Sequence, residues 1–205
     1  MNIESITWFI RQVGGWLTLL TVALLVYGLW RGTRRQVGRV TGNQGKFLQS
    51  SWFYLLSVVV YFGFCYLIWI PLPVTVSPQV RFWLLMIGSI IFFPGLGLAL
   101  WARLALGKNY FTSTGLHAQL FADHQLITSG PFAFVRHPMY LGATLASIGS
   151  LLMYTTWTTL FFACTFAPIL IRRARREEAG LASEFGEEWV EYCRRVPAFF
   201  PRLMA

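Results

Sequence analysis

The chain has 205 residues, 56% of them hydrophobic and 12% charged, with seventeen Lys and Arg against eight Asp and Glu and a formal net charge of +9. Soluble domains carry roughly 25% charged residues, so this is the composition of a membrane protein. The basic balance alone would suit a nucleic-acid binder, but such a protein has no need of long uncharged runs. Basic residues flanking lipid account for both features and exclude nucleic acid as a partner.

In chain order, the first apolar run is Val13–Trp30. Glu4 stands where a leader would be basic, and no small-x-small site precedes the arginines, so the run is expected to be a span and not a cleaved signal. A second run, Trp52–Ile70, is followed by PLPVTVSP, a proline-punctuated turn without visible chemistry. The third, Phe82–Leu104, contains Pro94, Gly95 and Gly97, which predict a kink or a widened cavity beside it. The fourth and fifth, Met139–Tyr154 and Trp157–Ile171, are short and meet without an intervening charge, as a helical hairpin does. A bilayer core of about 30 Å takes roughly 20 helical residues.

These five runs predict an all-α, polytopic integral membrane protein with about five transmembrane helices. Residues 1–205 form one membrane domain, with helices 1–3 in 1–106 and a catalytic half in 107–205. Fifteen of the seventeen cationic residues fall on one side of these spans, leaving Arg11 and Arg81 on the other. The positive-inside bias puts the N-terminus outside and the C-terminus in the cytoplasm.

Chemistry is confined to two stretches on the cytoplasmic side. Gly107–Pro138 holds all three histidines, and Arg172–Pro201 holds a basic and acidic cluster. In the second, Arg173 and Glu177 are four apart and share a helix face, while Glu178 lies about 100° round. They form either an interfacial ion pair beside lipid-binding arginines or a charged ligand site. Farther on, Glu191 is placed to pair with Arg194 or Arg195, on a helix expected to lie along the membrane surface and close over the site. In the first stretch, Leu126-Ile127 is a short extended piece before the turn Thr128–Pro131. His137 precedes Pro138, a favoured first helical residue, and as a helix-entry histidine would bond to backbone.

Metal binding is not expected. His117, His124 and His137 lack HxxxH or HxxH spacing, Asp123 is the one nearby carboxylate, and Cys65, Cys164 and Cys193 are scattered packing residues. Ser113 and Ser129 lie near histidines, but no GxSxG elbow marks a hydrolase.

Together, HQLITSGPFAFVRHPMYLG, the pattern R-x-x-x-E-E and EFGEEWVEYCRRVPAFFP resemble the isoprenylcysteine carboxyl methyltransferase family of integral membrane enzymes. The resemblance covers roughly Gly107–Pro201. It implies methyl transfer from S-adenosylmethionine to a lipophilic acceptor at the cytoplasmic membrane face, most directly an isoprenylcysteine-like carboxylate. It also implies cofactor contacts from His124, Gln125, Leu126 and Ile127, from Phe132, and from His137, Pro138, Met139 and Tyr140. A further polar contact falls at His117. Glu177 matches the cofactor carboxylate and Arg173 the substrate-contacting arginine, the two residues assigned to catalysis. The five-span layout is similar to prokaryotic members, implying a prokaryotic cytoplasmic membrane. Three positions depart from the family pattern: Phe132 and Trp189 replace tyrosines, and Ala198 replaces an arginine.

Other outcomes stay open. The acceptor could be a phospholipid amine or a small thiol, either of which needs a general base. A membrane sterol-type reductase using NADPH shares an arginine-histidine followed by tyrosine-glycine, though without Pro138. A scaffold or transporter would show ionisable residues at mid-membrane, where these spans have none.

Overall fold

The computed structural model describes residues 3–32, 37–41, 51–110, 118–121 and 125–200. His117 and His124 lie outside the described residues. Five helices carry the chain: α1 (Ile3–Gly32), α2 (Ser51–Leu67), α3 (Pro78–Leu106), α4 (Pro138–Tyr154) and α5 (Trp157–Arg195). Each contains one of the apolar runs, although α2 stops three residues short of Ile70. Among the described residues, two stretches are long and apolar enough for a full crossing, Ile3–Gly28 in α1 and Pro78–Leu106 in α3. The remaining three are not among these. α2 and α4 have 17 residues each, about 25 Å of helix at 1.5 Å per residue, and α5 turns basic from Arg172.

The chain is all-α as expected, apart from one small ribbon. β1 (Val37–Thr41) pairs antiparallel with β2 (Ala118–Phe121). The expected extended piece at Leu126-Ile127 is irregular backbone, and the strand lies upstream of it. The ribbon joins the α1–α2 connection to the α3–α4 connection, so both emerge at the same end of the bundle.

At the opposite end the other connections meet. Leu72 N donates to Thr155 O at 2.9 Å and Trp157 N to Ile70 O at 3.0 Å. Arg11 Nε donates to Met153 O at 3.0 Å, and Tyr154 O–H to Arg11 O at 2.6 Å. The hairpin between α4 and α5 is as tight as expected: Thr155 takes a left-handed conformation (φ 50°), and Thr156 caps α5 reciprocally with Thr159. Ser77 caps α3 with Pro78 at its start.

α3 runs through Pro94 as one helix. The glycines serve close approach. A Cβ at Gly142 would fall 2.5 Å from Gly95 O and one at Gly149 would fall 2.5 Å from Phe92 N. Gly88 and Gly95 on α3 and Gly142 and Gly149 on α4 repeat every seven residues, two helical turns, which keeps one seam of backbone contact. Leu85, Phe92, Leu96, Ala146 and Met153 fill the core along it. Outward faces carry large apolar side chains, Trp16, Val59, Trp83 and Ile90 among them, each more than half exposed and suited to lipid.

α5 is two helices in series that meet at Gly186, the second being the expected closing helix. Gly186 leaves helical geometry (φ 50°, ψ −121°) and the helix resumes to Arg195. Its last turns do not lie free on a surface. Trp189, Tyr192 and Val196 bury against Leu126, Leu181, Phe185 and Cys193. Of the expected packing cysteines, Cys65 and Cys193 are half-buried, whereas Cys164 is exposed on α5.

Candidate active site

The loop before α4 is built by its turn residues. Gly130 has φ 62° and opens a short 3-10 turn, Gly130–Ala133, that buries Pro131 and Phe132. Tyr192 on α5 donates its hydroxyl to Phe132 O at 2.7 Å, fastening the turn. Two residues on, the backbone N–H groups of Arg136 and His137 donate to Pro197 O and Ala198 O at 2.8 and 3.0 Å. Pro138 then starts α4 and is fully buried. Thus the loop, α4 and the chain after α5 are held as one unit.

Two charged clusters follow from this arrangement. In the first, Arg136 donates from Nη2 and Nε to Glu178 Oε1, at 2.8 and 3.0 Å, and from Nη1 to Val196 O at 2.7 Å. His137 Nε2 lies 3.0 Å from the same Glu178 oxygen. The imidazole therefore meets a carboxylate and not the backbone expected of a helix-entry histidine. It also stacks near Tyr140 and Phe199, at ring separations of 5.6 and 5.3 Å. Burial alone would raise the Glu178 carboxyl, but the hydrogen bonds from His137 and Arg136 outweigh it and hold it below the usual carboxylate range.

In the second cluster, Arg173 Nε donates to Glu177 Oε1 at 3.1 Å, the i,i+4 pair expected from spacing. Tyr140 O–H donates to the same oxygen at 2.5 Å, and the Arg173 guanidinium lies 5.6 Å from the Tyr140 ring. Tyr110, largely buried just beyond α3, is within electrostatic reach of both Arg173 and Glu177, and burial chiefly pushes its hydroxyl pKa up. Burial opposes the charge on Arg173, but Tyr140 and Glu177 beside it more than compensate. The result is a half-enclosed cation and anion side by side, walled by two phenols.

The other expected contact residues approach this region differently. Gln125 N donates to Asn109 Oδ1 at 3.4 Å, tying the loop to the end of α3. Leu126 packs in the apolar cluster under Trp189. Ile127 and Met139 are half-buried, and Phe132, His137 and Tyr140 are buried. Trp189, standing for the family's tyrosine, lies 5.8 Å from the Arg136 guanidinium. Spacing did not single out Arg136, Glu178, Asn109 or Tyr110 for these contacts. Glu191 meets Arg194 and Arg195 at 3.7 and 3.4 Å as expected, but these exposed pairs contribute little. Among the described residues, no three His, Cys, Asp or Glu side chains gather as a metal would require.

The family model described as phospholipid methyltransferase matches residues 83–188, just over half of the chain and nearly all of α3 to α5. The chain belongs to the phospholipid methyltransferase family. The resemblance to isoprenylcysteine carboxyl methyltransferases is also borne out. Over 80 residues the chain is 35% identical to the protein-S-isoprenylcysteine O-methyltransferase of Schizosaccharomyces pombe, covering 38% of this chain and 34% of that protein. A solved structure described as the eukaryotic intramembrane Ras methyltransferase, isoprenylcysteine carboxyl methyltransferase, superposes with a TM-score of 0.52 at 26% identity, covering 73% of this chain and 50% of that one. The cobalt-zinc-cadmium resistance protein CzcN of Cupriavidus metallidurans is 40% identical over 82 residues, 40% of this chain and 38% of that protein. The delta(14)-sterol reductase TM7SF2 of Mus musculus is 34% identical over 82 residues, 36% of this chain and 18% of that protein. The chain therefore spans about a third of the first curated relative and half of the solved one. Apolar helices and this kinship mark it as an integral membrane protein.

Proposed function

We propose that the chain is a membrane methyltransferase using S-adenosylmethionine, acting at the cytoplasmic face of a prokaryotic cytoplasmic membrane on a lipophilic acceptor, most directly an isoprenylcysteine-like carboxylate. The observation that carries this reading is the half-buried Arg173–Glu177 pair beside Tyr140. The carboxylate suits the cationic parts of a sulfonium cofactor, and the guanidinium beside it suits an anionic acceptor. The N-terminus faces outward, because the arginine-rich connections share one end of the bundle with this pair.

S-adenosylmethionine, when bound, supplies a methyl group on a cationic sulfur. Glu177 holds a cationic part of the cofactor, and Tyr140 fixes the rotamer of that carboxylate. The backbone of Gln125, Leu126 and Ile127, with Phe132, His137, Pro138 and Met139, forms the wall on the loop side. Arg173 orients the acceptor. A carboxylate acceptor is already nucleophilic, so alignment and exclusion of water are the main requirements, and the docked end of α5 excludes water.

The description of the matching family favours a second acceptor, a phospholipid amine, which needs a base to take its proton. Incubating the purified protein with labelled cofactor and a membrane lipid extract separates the two. A base-labile methyl ester supports the first reading, a base-stable product the second, and no transfer opposes both.

A further inference from the structure

Outside the two clusters, the Arg103 guanidinium is built into the bundle without an anion among the described residues. Arg103, in the last turn of α3, leans toward α1 at Gly28. A Cβ at Gly28 would fall 2.3 Å from Arg103 Nη2, so the glycine forms the notch that admits the head group. On another side the guanidinium lies over the Tyr110 ring, 3.9 Å from its centroid. Its donors are poorly served. Nη1 reaches Gly107 O at 3.5 Å, the outer limit of a hydrogen bond, and Nε is enclosed without a partner. No carboxylate pairs with Arg103 among the described residues, and Arg31 adds a second positive charge nearby. A partly enclosed charge normally has a counter-charge, and leaving it without one is costly.

Arg173 differs in this respect, because Glu177 already shares its charge. A carboxylate arriving at Arg173 meets Glu177 as well. One arriving at Arg103 meets two arginines, and Tyr110 links that place to the Arg173–Glu177 pair.

We propose that Arg103, in the Gly28 notch and over Tyr110, is an anion-receiving subsite for the carboxylate of the acceptor. This rests on the methyltransferase reading with a carboxylate acceptor. It gives the subsite a function in turnover: the acid is held by charge, and the methyl ester, having none, is not. Substrate is retained and product released by the same side chain. Arg103 thus governs acceptor affinity, while Arg173 governs alignment.

The test uses the purified full chain and a matched probe pair, a farnesyl thioether carboxylic acid and its methyl ester, titrated by calorimetry in phosphatidylcholine nanodiscs. Wild type is expected to bind the acid at least tenfold more tightly than the ester. Arg103→Gln should weaken the acid ten- to hundredfold, as loss of a charge-assisted contact does, and move the ester by no more than about twofold. Arg103→Lys should restore part of the acid preference. Gly28→Ala, which crowds the guanidinium without removing its charge, should act like a milder Arg103→Gln and serves if that variant does not fold. Arg172→Gln, at an exposed position, should change neither probe. Equal loss of acid and ester, or unchanged acid binding in Arg103→Gln and Gly28→Ala, would overturn the proposal. So would displacement of the acid by phosphatidylglycerol in the discs, which assigns the subsite to membrane lipid. S-adenosylmethionine titrated into the same samples separates the two ideas. Cofactor binding without an Arg103-dependent acid preference removes the subsite alone. An acid preference without cofactor binding removes the methyltransferase reading alone.

Discussion

Arg136 places two donors on one oxygen of Glu178, Nη2 at 2.8 Å and Nε at 3.0 Å, across 42 residues of sequence. His137 adds a third contact to that oxygen. Glu178 is thereby a charged tie between the loop before α4 and α5, one residue from Glu177. Glu178→Gln should loosen this tie by about 1.5–3 kcal/mol, the worth of charged hydrogen bonds. At about 2–4 °C per kcal/mol for a chain of this size, the melting temperature in detergent should fall by roughly 3–12 °C. An unchanged melting temperature would show that the tie is idle.

The same tie has a pH signature. The Glu178 carboxyl is held below its ordinary value in the folded protein. Its contribution is therefore fully present above the unfolded carboxylate pKa of about 4.3 and lost as pH falls through the lower folded value. Melting temperatures of wild type and Glu178→Gln should differ at pH 7 and converge on acidification below about pH 4. A gap that stays constant down to pH 3 would mean that Glu178 does not act as a carboxylate.

Glu177→Gln should do something different. It keeps the helix and the Tyr140 contact but removes the anion facing Arg173. Affinity for S-adenosylmethionine should drop roughly ten- to hundredfold, and the melting temperature should fall as well, because Arg173 loses its counter-charge. Glu178→Gln should weaken the cofactor less. Equal and small effects on affinity at both positions would reduce the pair to a solvated cluster.

The seam between α3 and α4 makes a packing prediction with an internal control. A methyl at Gly142 would press on backbone atoms of Gly95 and Ala99 at 2.5–3.1 Å, whereas one at Gly97 would meet nothing within 4 Å. Gly142→Ala should lower folded yield and melting temperature, because two backbones must part. Gly97→Ala should be neutral or stabilise by up to about 1 kcal/mol, since alanine favours helix over glycine. Thermal melts of both variants decide it, and equal behaviour would contradict the seam.

The limits of what sequence could reveal follow from the kind of contact involved. Arg173–Glu177 is a local pair, so helical spacing alone placed it. The apolar runs located the five helices, and the uncharged Tyr154–Trp157 junction located the hairpin. Spacing also put Glu178 on another face, but no local pattern announced that Arg136 and His137 would come to meet it there. Asn109, Tyr110 and Arg103 escaped for the same reason: their roles arise where the end of α3 meets α1, α5 and the loop. Gly95 beside Pro94 displays a helix breaker, whereas the α4 backbone that the glycine admits is written nowhere in the local sequence. The strands were missed because VGRVT and AQLF are too short to stand out in loops.

The central claim is that Glu177, beside Arg173 and the loop before α4, is a seat for S-adenosylmethionine. The most direct measurement is calorimetric titration of the purified protein, without added metal, with S-adenosylmethionine, its demethylated product and NADPH in turn. The account predicts saturable binding of the first two, weakened by Glu177→Gln, and no heat from NADPH. Saturable NADPH binding with no response to S-adenosylmethionine would contradict it and place the protein with the membrane reductases.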